Sequence, residues 1–266
     1  AGMKWIASFP GNVARGLERA SAVLILNSCD TGRPTAILES SIISARRTAA
    51  SAALAARALF PDGPPPAAGL IGTGVINFEV ARFLRAALPG LDRFVLYDHD
   101  GERAGRFGER LRRDFGAEFE VAATGEAVLA GCSLISFATT AGKPHTGLAA
   151  CRPGTAVLHV SLRDITAEAI LAADNIVDDA DHVSRAQTSI HLAEQAAGGR
   201  GFIRCSIADV LDGRAPARRD AASVVVFSPF GLGILDLAVG QLACGLARAA
   251  GRGLVLDSFL PAGGGI

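Results

Sequence analysis

The sequence predicts an α/β fold in which a doubly wound parallel sheet is inserted into a second, α+β domain. Apolar runs of strand length alternate with segments of helix length between residues 67 and 177, which is typical of parallel βαβ units. A PDGPPP cluster at residues 61–66 separates this region from the segment before it, because such a cluster cannot continue a helix. A glycine-containing turn follows the first of these strands, as in Rossmann-type sheets.

The composition excludes several classes of function. The 266 residues are half hydrophobic, with 26 Lys plus Arg balancing 26 Asp plus Glu. A net charge of zero lacks the basic surface that nucleic acids or anionic membranes attract. No apolar run reaches the roughly 18 residues that a membrane span requires. We therefore expect neither a nucleic-acid partner nor a membrane.

The five cysteines are dispersed and form no CxxC pair. This pattern argues against a disulfide framework and against a metal site of the zinc type, and it favours a cytoplasmic location. The first residues, AGMKWIASF, read as the middle of a domain. We therefore expect that an N-terminal portion precedes this chain.

The segment before the proline cluster is expected to form part of the second domain, residues 1–60. Apolar stretches predict strands at Met3–Phe9, Ala22–Asn27 and Pro34–Leu38, with a hairpin-type turn at residues 30–32. The Ala- and Arg-rich run Ser44–Phe60 has helical spacing and opens with a serine, which is a favoured capping residue.

Residues 67–190 are predicted to form the Rossmann-type domain. Its expected strands cover residues 68–72, 94–98, 118–122, 133–138, 156–161 and 175–177, and its expected helices 75–87, 103–115 and 125–130. A further strand at residues 223–227 and a long helix at 233–250 follow. We expect this last part, residues 206–266, to return to the first domain.

The turn Gly72-Thr73-Gly74 lies between a predicted strand and a predicted helix. In this context the first glycine permits the tight turn, and the second lets a pyrophosphate approach the helix N-terminus, where the N–H groups of Val75 and Ile76 are open. The third glycine position holds Asn77. On this feature alone, an ordinary strand-to-helix turn would be an equally good interpretation.

Asp98 strengthens the dinucleotide interpretation. It ends the next predicted strand, where an acidic residue accepts hydrogen bonds from the ribose hydroxyls of NAD. A carboxylate there repels the 2′-phosphate of NADP, and Asp100 and Glu102 add to this repulsion. We therefore predict NAD as the cofactor. A flavodoxin-like or methyltransferase sheet remains the alternative.

Several segments resemble the ornithine cyclodeaminase/μ-crystallin family over essentially the whole chain. They include KWIASFPGN at residues 4–12, SARRTAA at 44–50, GVINFE at 74–79, DHVSRAQTSIH at 181–191 and PFGLGILD at 229–236. Within the family, they are most similar to the branch that acts in 2,3-diaminopropionate biosynthesis.

The resemblance implies a two-domain fold, usually a homodimer, with the first domain binding the amino-acid substrate and forming the dimer. It implies that Lys4 and Arg47 hold the substrate carboxylate and that Asp164 is the acid/base. The cofactor contacts that it implies come from Thr48, Thr139 and Gly231. The family often has a serine where Pro229 stands here, so a side-chain contact from that position is not expected.

Considered without the resemblance, these residues admit simpler interpretations. Lys4 would be a surface lysine, Arg47 would be one of two arginines at the start of a mainly apolar helix, and Asp164 would be a helix cap for residues 165–171. The polar residues His182, Arg185, Gln187 and His191 either shape a substrate pocket or lie on an exposed amphipathic helix. His145 and His159 are expected to be structural or cofactor-adjacent.

Three functions remain open from sequence. The first is NAD-dependent oxidation of N-(2-amino-2-carboxyethyl)-L-glutamate, after which hydrolysis of the imine releases 2-oxoglutarate and L-2,3-diaminopropionate. The second is another activity of the same family: ornithine cyclodeaminase, alanine dehydrogenase or ketimine reductase. The third is a binding protein that uses the dinucleotide as a ligand, as μ-crystallins suggest. The presence of Lys4, Arg47 and Asp164 favours catalysis over binding alone.

Overall fold

The computed structural model describes residues 1–257 and 259. The chain divides into two compact units. One contains residues 1–44 and the described residues from 233 onward, and the other contains residues 45–232. The second unit is therefore inserted in the sequence of the first, and it holds a parallel sheet while the first holds an antiparallel one. The predicted fold class is confirmed.

The first unit is built on a three-stranded antiparallel sheet of β1 (Gly2–Ser8), β2 (Ala20–Asn27) and β3 (Pro34–Glu39), with β2 in the centre. The long helix α9 (Gly233–Ala249) packs on it. Leu24 and Leu26 of β2 and Leu237 of α9 share one small core. Because side chains alternate along a strand, Ile25, which lies between Leu24 and Leu26, points to the opposite face of the sheet.

That other face of the sheet is apolar and exposed. Met3 pairs with Ile25 and Trp5 pairs with Val23, and Ile25 in turn pairs with Ile37. The exposed fractions are 56% for Met3, 73% for Trp5, 41% for Val23 and 57% for Ile37. A contiguous apolar sheet face of this kind is typical of a surface that contacts another protein.

The second unit contains an eight-stranded parallel sheet in the order β10-β9-β11-β8-β7-β4-β5-β6. Its strands are β4 (Ala68–Ile71), β5 (Arg93–Tyr97), β6 (Glu118–Val121), β7 (Leu134–Phe137), β8 (Ala156–His159), β9 (Asp174–Val177), β10 (Ile203–Ser206) and β11 (Val225–Ser228). The five central strands are buried along their whole length, as expected for a sheet covered on both faces.

Helices cover the two faces of this sheet. They are α1 (Ser41–Leu59), α2 (Val75–Ala87), α3 (Gly101–Phe115), α4 (Gly125–Gly131), α5 (Ala167–Ala172), α6 (Ala180–Val183), α7 (Ser189–Ala197) and α8 (Ile207–Leu211). Leu158 of β8 packs in one core cluster, whereas its neighbour Val157 packs in another. This alternation places one core on each face of the sheet.

The expectation that residues 223–227 return to the first domain is wrong. The strand in this region, β11, pairs with β8 on one side and β9 on the other, inside the parallel sheet. The return begins only with α9. A run of four buried apolar residues indicates a central strand, but it carries no information about which sheet the strand joins.

The predicted start of the first helix is also wrong. Ser44 lies inside α1, which begins at Ser41. The carboxylate of Glu39 accepts a hydrogen bond of 2.7 Å from the Ser41 N–H, so an acidic side chain serves the helix N-terminus where a serine was expected.

Candidate active site

The predicted site residues of the second unit gather at the carboxyl edge of its parallel sheet. Because parallel strands all end at the same edge, the residues that follow them lie close together there. The residues that follow β4, β5, β7, β8, β9 and β11 are, in that order, Gly72, Asp98, Thr139, Asp164, Asp178 and the loop 229–232. This edge is the candidate active site.

Gly72 is required by both its backbone conformation and its surroundings. Its φ is +86°, and a Cβ at this position would lie 2.5 Å from the Ala138 carbonyl oxygen and 3.2 Å from the Thr139 Cα. Any other residue would combine a strained left-handed conformation with a steric collision. The turn therefore passes directly against the end of β7.

Asn77 occupies the third glycine position, and its side-chain amide has a structural role there. Its Nδ2 donates to the carbonyl oxygens of Ile71 (3.0 Å) and Gly72 (2.7 Å). Its Oδ1 accepts a 2.7 Å hydrogen bond from the Ser136 hydroxyl. The buried amide thus links the start of α2 to the ends of β4 and β7 by hydrogen bonds. These hydrogen bonds stabilise the turn although the third glycine of the pattern is absent.

The N-terminus of α2 suits an anionic group. Gly74 is its N-cap and provides no side-chain cap. The N–H groups at this end, including those of Val75 and Ile76, have no partner within the helix and attract negative charge. These N–H groups could hold a pyrophosphate, because Gly74 has no side chain to block its approach.

Asp98 is bound to the middle residue of the glycine turn. Its Oδ2 accepts hydrogen bonds from the Thr73 N–H (2.8 Å) and the Thr73 hydroxyl (2.6 Å), and its Oδ1 accepts one of 3.2 Å from the Asp100 N–H. Burial raises the pKa of the Asp98 carboxyl, but the Thr73 and Asp100 hydrogen bonds lower it further than burial raises it. The ionised Oδ1 retains one acceptor position for a ribose hydroxyl.

Asp164 lies at the centre of a buried polar cluster. Its side chain is 0% exposed. Thr139 Oγ1 donates to its Oδ1, Ser161 Oγ donates to its Oδ2 at 2.5 Å, and His159 Nε2 lies 3.2 Å from the same Oδ2. Burial raises the pKa of Asp164, but the interactions with His159, Ser161 and Thr139 together bring it below its ordinary value.

His159 faces Asp164 through one ring nitrogen. Its Nε2 lies 3.2 Å from the Asp164 Oδ2 and also 3.2 Å from the Asp164 backbone N–H, which points at it. Its Nδ1 lies 3.5 Å from the Ser228 hydroxyl. Nε2 therefore acts as a donor or an acceptor according to which member of the pair holds the proton. This position agrees with the expectation of a structural or cofactor-adjacent histidine.

The loop that carries Asp164 has an unusual backbone. Leu162 adopts a φ of +69° although it is not glycine, a conformation that neighbouring structure must hold in place. The Ser189 N–H donates to the Leu162 carbonyl at 2.7 Å, and the His145 N–H donates to the Asp164 carbonyl at 2.8 Å. The helix that follows is capped by Thr166, so the alternative of Asp164 as a helix cap is wrong.

Arg47 and Gly231 lie side by side in the second unit. Gly231 has a φ of +97°, and a Cβ there would collide with the guanidinium of Arg47. The N–H groups of Phe230 (2.9 Å) and Gly231 (2.6 Å) both donate to the carboxylate of Asp178. Asp178 therefore holds the loop against which Arg47 rests. Sequence reasoning missed this aspartate, since only its place at the end of β9 could have indicated it.

Lys4 belongs to the first unit, where it forms an ion pair. Its Nζ lies 2.8 Å from the Asp236 Oδ2 and donates to the Ser44 hydroxyl at 3.2 Å. The side chain of Asp236 is 1% exposed and that of Lys4 is 14% exposed. The Asp236 carboxylate thus holds the Lys4 ammonium beside the Ser44 hydroxyl. Asp236 ends the segment 229–236 that resembles the family, but no role was predicted for it from the sequence.

The remaining candidates lie on helices α1, α6 and α7 or beside them. Thr48 follows Arg47 in α1. His182 pairs with Asp179 at 2.8 Å, and His191 lies near the side-chain nitrogens of Gln187 (3.4 Å) and Gln195 (3.1 Å). His182, Arg185 and Gln187 are exposed.

Two kinds of feature are absent from the described residues. No group of three or more His, Cys, Asp or Glu side chains is arranged to hold a metal ion across residues 1–257 and 259. In the same part of the chain, no helix combines the length and the apolar character needed to cross a membrane.

The parallel sheet, the glycine turn at the start of α2 and the carboxylate after β5 define a Rossmann-type dinucleotide-binding fold. Residues 1–245 match the profile of the ornithine cyclodeaminase/mu-crystallin family, and the chain belongs to that family. The resemblance seen in the sequence is therefore confirmed.

Among curated relatives, the chain is 26% identical over 264 residues to N-((2S)-2-amino-2-carboxyethyl)-L-glutamate dehydrogenase of Staphylococcus aureus, covering 97% of this chain and 78% of that protein. Among solved structures, it is 30% identical to CmnK, with a TM-score of 0.87 and 98% and 78% of the two chains covered. It is 25% identical to an archaeal alanine dehydrogenase dimer with bound NAD, with a TM-score of 0.85 and 97% and 81% covered.

Proposed function

We propose that this protein is an NAD-dependent dehydrogenase that oxidises N-(2-amino-2-carboxyethyl)-L-glutamate. The overall reaction consumes NAD⁺ and water and yields 2-oxoglutarate, L-2,3-diaminopropionate, NADH and a proton. The diaminopropionate would serve siderophore or peptide antibiotic biosynthesis. The five cysteines, all of them free, support a reducing, cytoplasmic setting for this reaction.

One observation carries the proposal: a single residue, Thr139, joins the glycine turn to the buried aspartate. A Cβ on Gly72 would lie 3.2 Å from the Thr139 Cα, and the Thr139 hydroxyl donates to Asp164. A dinucleotide held at this turn thus has an acid/base group beside it. Oxidation of an amine followed by hydrolysis requires both.

Different residues of the second unit have separate roles in the proposed reaction. The N-terminus of α2 would hold the pyrophosphate, and the free acceptor position of Asp98 would hold the ribose. Bound NAD⁺ would supply the oxidant, since its nicotinamide ring takes hydride from the carbon attached to the substrate nitrogen. Arg47, seated against Gly231, offers the planar fork that suits a carboxylate. Asp164 manages the protons of the imine hydrolysis.

The choice of substrate is supported by the relatives and by the sequence. The Staphylococcus aureus relative carries this activity in its name. The segments at residues 74–79 and 181–191 were those that resembled this branch of the family. Family members exchange substrates on one scaffold, which is why the substrate must be tested directly.

We also propose that the protein is a homodimer. The exposed apolar sheet face around Trp5 and Ile37 in the first unit supports this, because burial of such a face against a second copy removes apolar area from water. The alanine dehydrogenase structure, described as a dimer, supports it as well.

The decisive experiment is a measurement of NADH formation with a panel of substrates. The panel contains the glutamate conjugate, ornithine, alanine and proline, each with NAD⁺. We expect turnover of the conjugate with equal amounts of 2-oxoglutarate and diaminopropionate. Faster turnover of another member would assign that activity instead. Tight NADH binding without turnover of any member would favour a dinucleotide-dependent binding protein.

A further inference from the structure

The carboxylate of Asp164, the proposed acid/base, is not accessible to solvent. Asp164 is 0% exposed, and both of its oxygens are occupied, Oδ1 by Thr139 and Oδ2 by Ser161 and His159. A substrate that binds at the sheet edge cannot touch either oxygen while these contacts persist. A proton must therefore reach Asp164 through one of the residues that surround it.

Two of these residues carry a hydroxyl and reach the surface. Thr139 and Ser161 are partly exposed, whereas His159 is 0% exposed. His159 leads only further inward, since its other ring nitrogen lies against the buried Ser228. The proton path from the sheet edge to Asp164 therefore runs through a hydroxyl of Thr139 or of Ser161.

The two hydroxyls differ in what else they bind. Thr139 Oγ1 donates to Asp164 and also accepts a 3.0 Å hydrogen bond from the Ala141 N–H. Ser161 Oγ donates to Asp164 at 2.5 Å, and no donor among the described residues occupies its lone pairs. A hydroxyl relays a proton by accepting one on a lone pair while it releases its own. Ser161 is free to do so.

The backbone of Ser161 is held in place. Its N–H donates to the Phe137 carbonyl oxygen at 3.0 Å, which ties it to the end of β7. Leu162, the next residue, has the strained φ of +69°. A strained backbone next to a short hydrogen bond indicates that the position of this hydroxyl is imposed by the surrounding structure.

We propose that Ser161 is the catalytic residue that exchanges protons with the substrate, and that Asp164 acts through it. This inference rests on the proposed function, in which a substrate imine is hydrolysed. Ser161 is then the group that touches the reacting water, and Asp164 is the buried acceptor behind it.

During the hydrolysis, protons pass between the substrate and Asp164 through Ser161. Hydride loss from the secondary amine leaves an imine that is protonated on nitrogen. The water oxygen forms a bond to its carbon, and the electron pair of the C=N π bond moves to nitrogen, which becomes a neutral amine. One water proton passes to Ser161 Oγ as the Ser161 proton passes to Asp164 Oδ2, so the serine ends as it began and Asp164 is neutral. In the collapse, the proton returns by the same path to the leaving nitrogen, and the C–N bond breaks with its electron pair on that nitrogen. The carbinol oxygen forms the carbonyl and loses its proton to Asp164 through Ser161. Asp164 then releases this proton through Ser161 to solvent, which is the proton of the overall reaction.

Steady-state kinetics test the relay. Ser161→Ala should lower kcat by about 100-fold or more with little change in KM, because a lost acid/base path acts in the transition state. Ser161→Thr keeps a hydroxyl and should restore most of the activity. Thr139→Val, which removes the other hydroxyl on Asp164, should lower kcat less than Ser161→Ala does.

A combined variant tests whether the two residues act as a unit. Ser161→Ala/Asp164→Asn should be no slower than the slower of the two single variants, because residues of one relay are strongly non-additive. Multiplicative losses in the double variant would overturn the inference. Near-normal kcat in Ser161→Ala would do the same.

A measurement without turnover separates this inference from the proposed function. The carboxyl carbon of Asp164, titrated by NMR in the protein alone, should report a higher pKa in Ser161→Ala than in the wild type, because a hydrogen bond to the carboxylate is lost. His159 is a titratable group that faces Asp164, so its ring signals must be followed in the same titration. An unchanged pKa overturns the relay, whereas an inactive wild type with the expected shift overturns the substrate assignment only.

Discussion

The carboxylate of Asp178 accepts a 2.6 Å hydrogen bond from the backbone N–H of Gly231, 53 residues further along the chain. A second bond of 2.9 Å comes from the Phe230 N–H. The Arg47 guanidinium lies against Gly231. Asp178 therefore holds in place the residue that contacts Arg47, the arginine that is proposed to bind the substrate carboxylate.

Replacement of Asp178 should weaken substrate binding through Arg47. Asp178→Asn presents an amide N–H₂ to a backbone donor, so one charge-assisted hydrogen bond is lost and the 229–232 loop shifts. We expect KM for the substrate to rise about tenfold with a smaller effect on kcat. Asp179→Asn, next in sequence, is the matched control and should leave KM near the wild-type value.

A double-variant cycle shows whether Asp178 acts through Arg47. In an Arg47→Ala background, Asp178→Asn should add little to the loss, because both changes then disable the same interaction. Fully additive losses in binding energy would mean that Asp178 supports the site in some other way.

Asp98 is expected to select NAD over NADP. Asp98→Ser removes the negative charge that opposes a 2′-phosphate and leaves the exposed Arg103 nearby, whose charge lowers the pKa of Asp98 in the wild type. The ratio of the NADPH and NADH dissociation constants, measured by nucleotide fluorescence, should fall by about tenfold or more. Glu109→Gln removes an exposed charge further along the same helix, α3, and is the control that should leave the ratio unchanged. A wild type that prefers NADPH would refute the argument.

The low pKa of Asp164 predicts a pH-dependent contribution to stability. A carboxyl whose pKa is lower in the folded than in the unfolded protein stabilises the fold above the unfolded pKa, about 3.9, and this contribution disappears as the pH falls through the folded pKa. The free energy of unfolding of wild type minus that of Asp164→Asn should therefore shrink as the pH falls below about 4. Urea titrations measure it, with the exposed Asp62→Asn as the control that should show no such trend.

The Lys4–Asp236 pair should matter for the stability of the first unit. Lys4→Met removes one partner of a 2.8 Å pair whose carboxylate is 1% exposed, and such changes cost about 3 kcal/mol because the remaining charge stays buried. Adding Asp236→Asn removes that charge and should recover part of the loss. If the double variant is less stable than the sum of the single effects predicts, the pair is not the source of the stability.

The proposed dimer can be followed through Trp5, which is the only tryptophan in the sequence. Trp5→Glu places a charge on the exposed apolar sheet face and should convert the dimer to a monomer in light scattering at micromolar concentration. Leu171→Glu, on α5 of the second unit, is the control. In the wild type, dilution should shift the Trp5 fluorescence to longer wavelength as the dimer dissociates, and a monomer at all concentrations would contradict the proposal.

Much of the parallel sheet was predictable from local pattern. The helix Val75–Ala87 was predicted with its observed ends, and the strands β4 to β9 lie within a few residues of their predicted positions. Short segments with few or mixed apolar residues were missed, such as β10, in which Arg204 follows Ile203. Here the burial of the strand depends on its neighbour β9 and not on its own composition.

The sequence by itself determined the alternation of strands and helices, the glycine turn and the acidic residue after β5, because each depends on residues near one another in the chain. Only the tertiary structure decided that β11 joins the parallel sheet, that Asp178 holds Gly231, and that Ser161 and Thr139 enclose Asp164. Periodicity reports which side of an element is buried, whereas these contacts join the ends of different strands and depend on the order in which the strands pair.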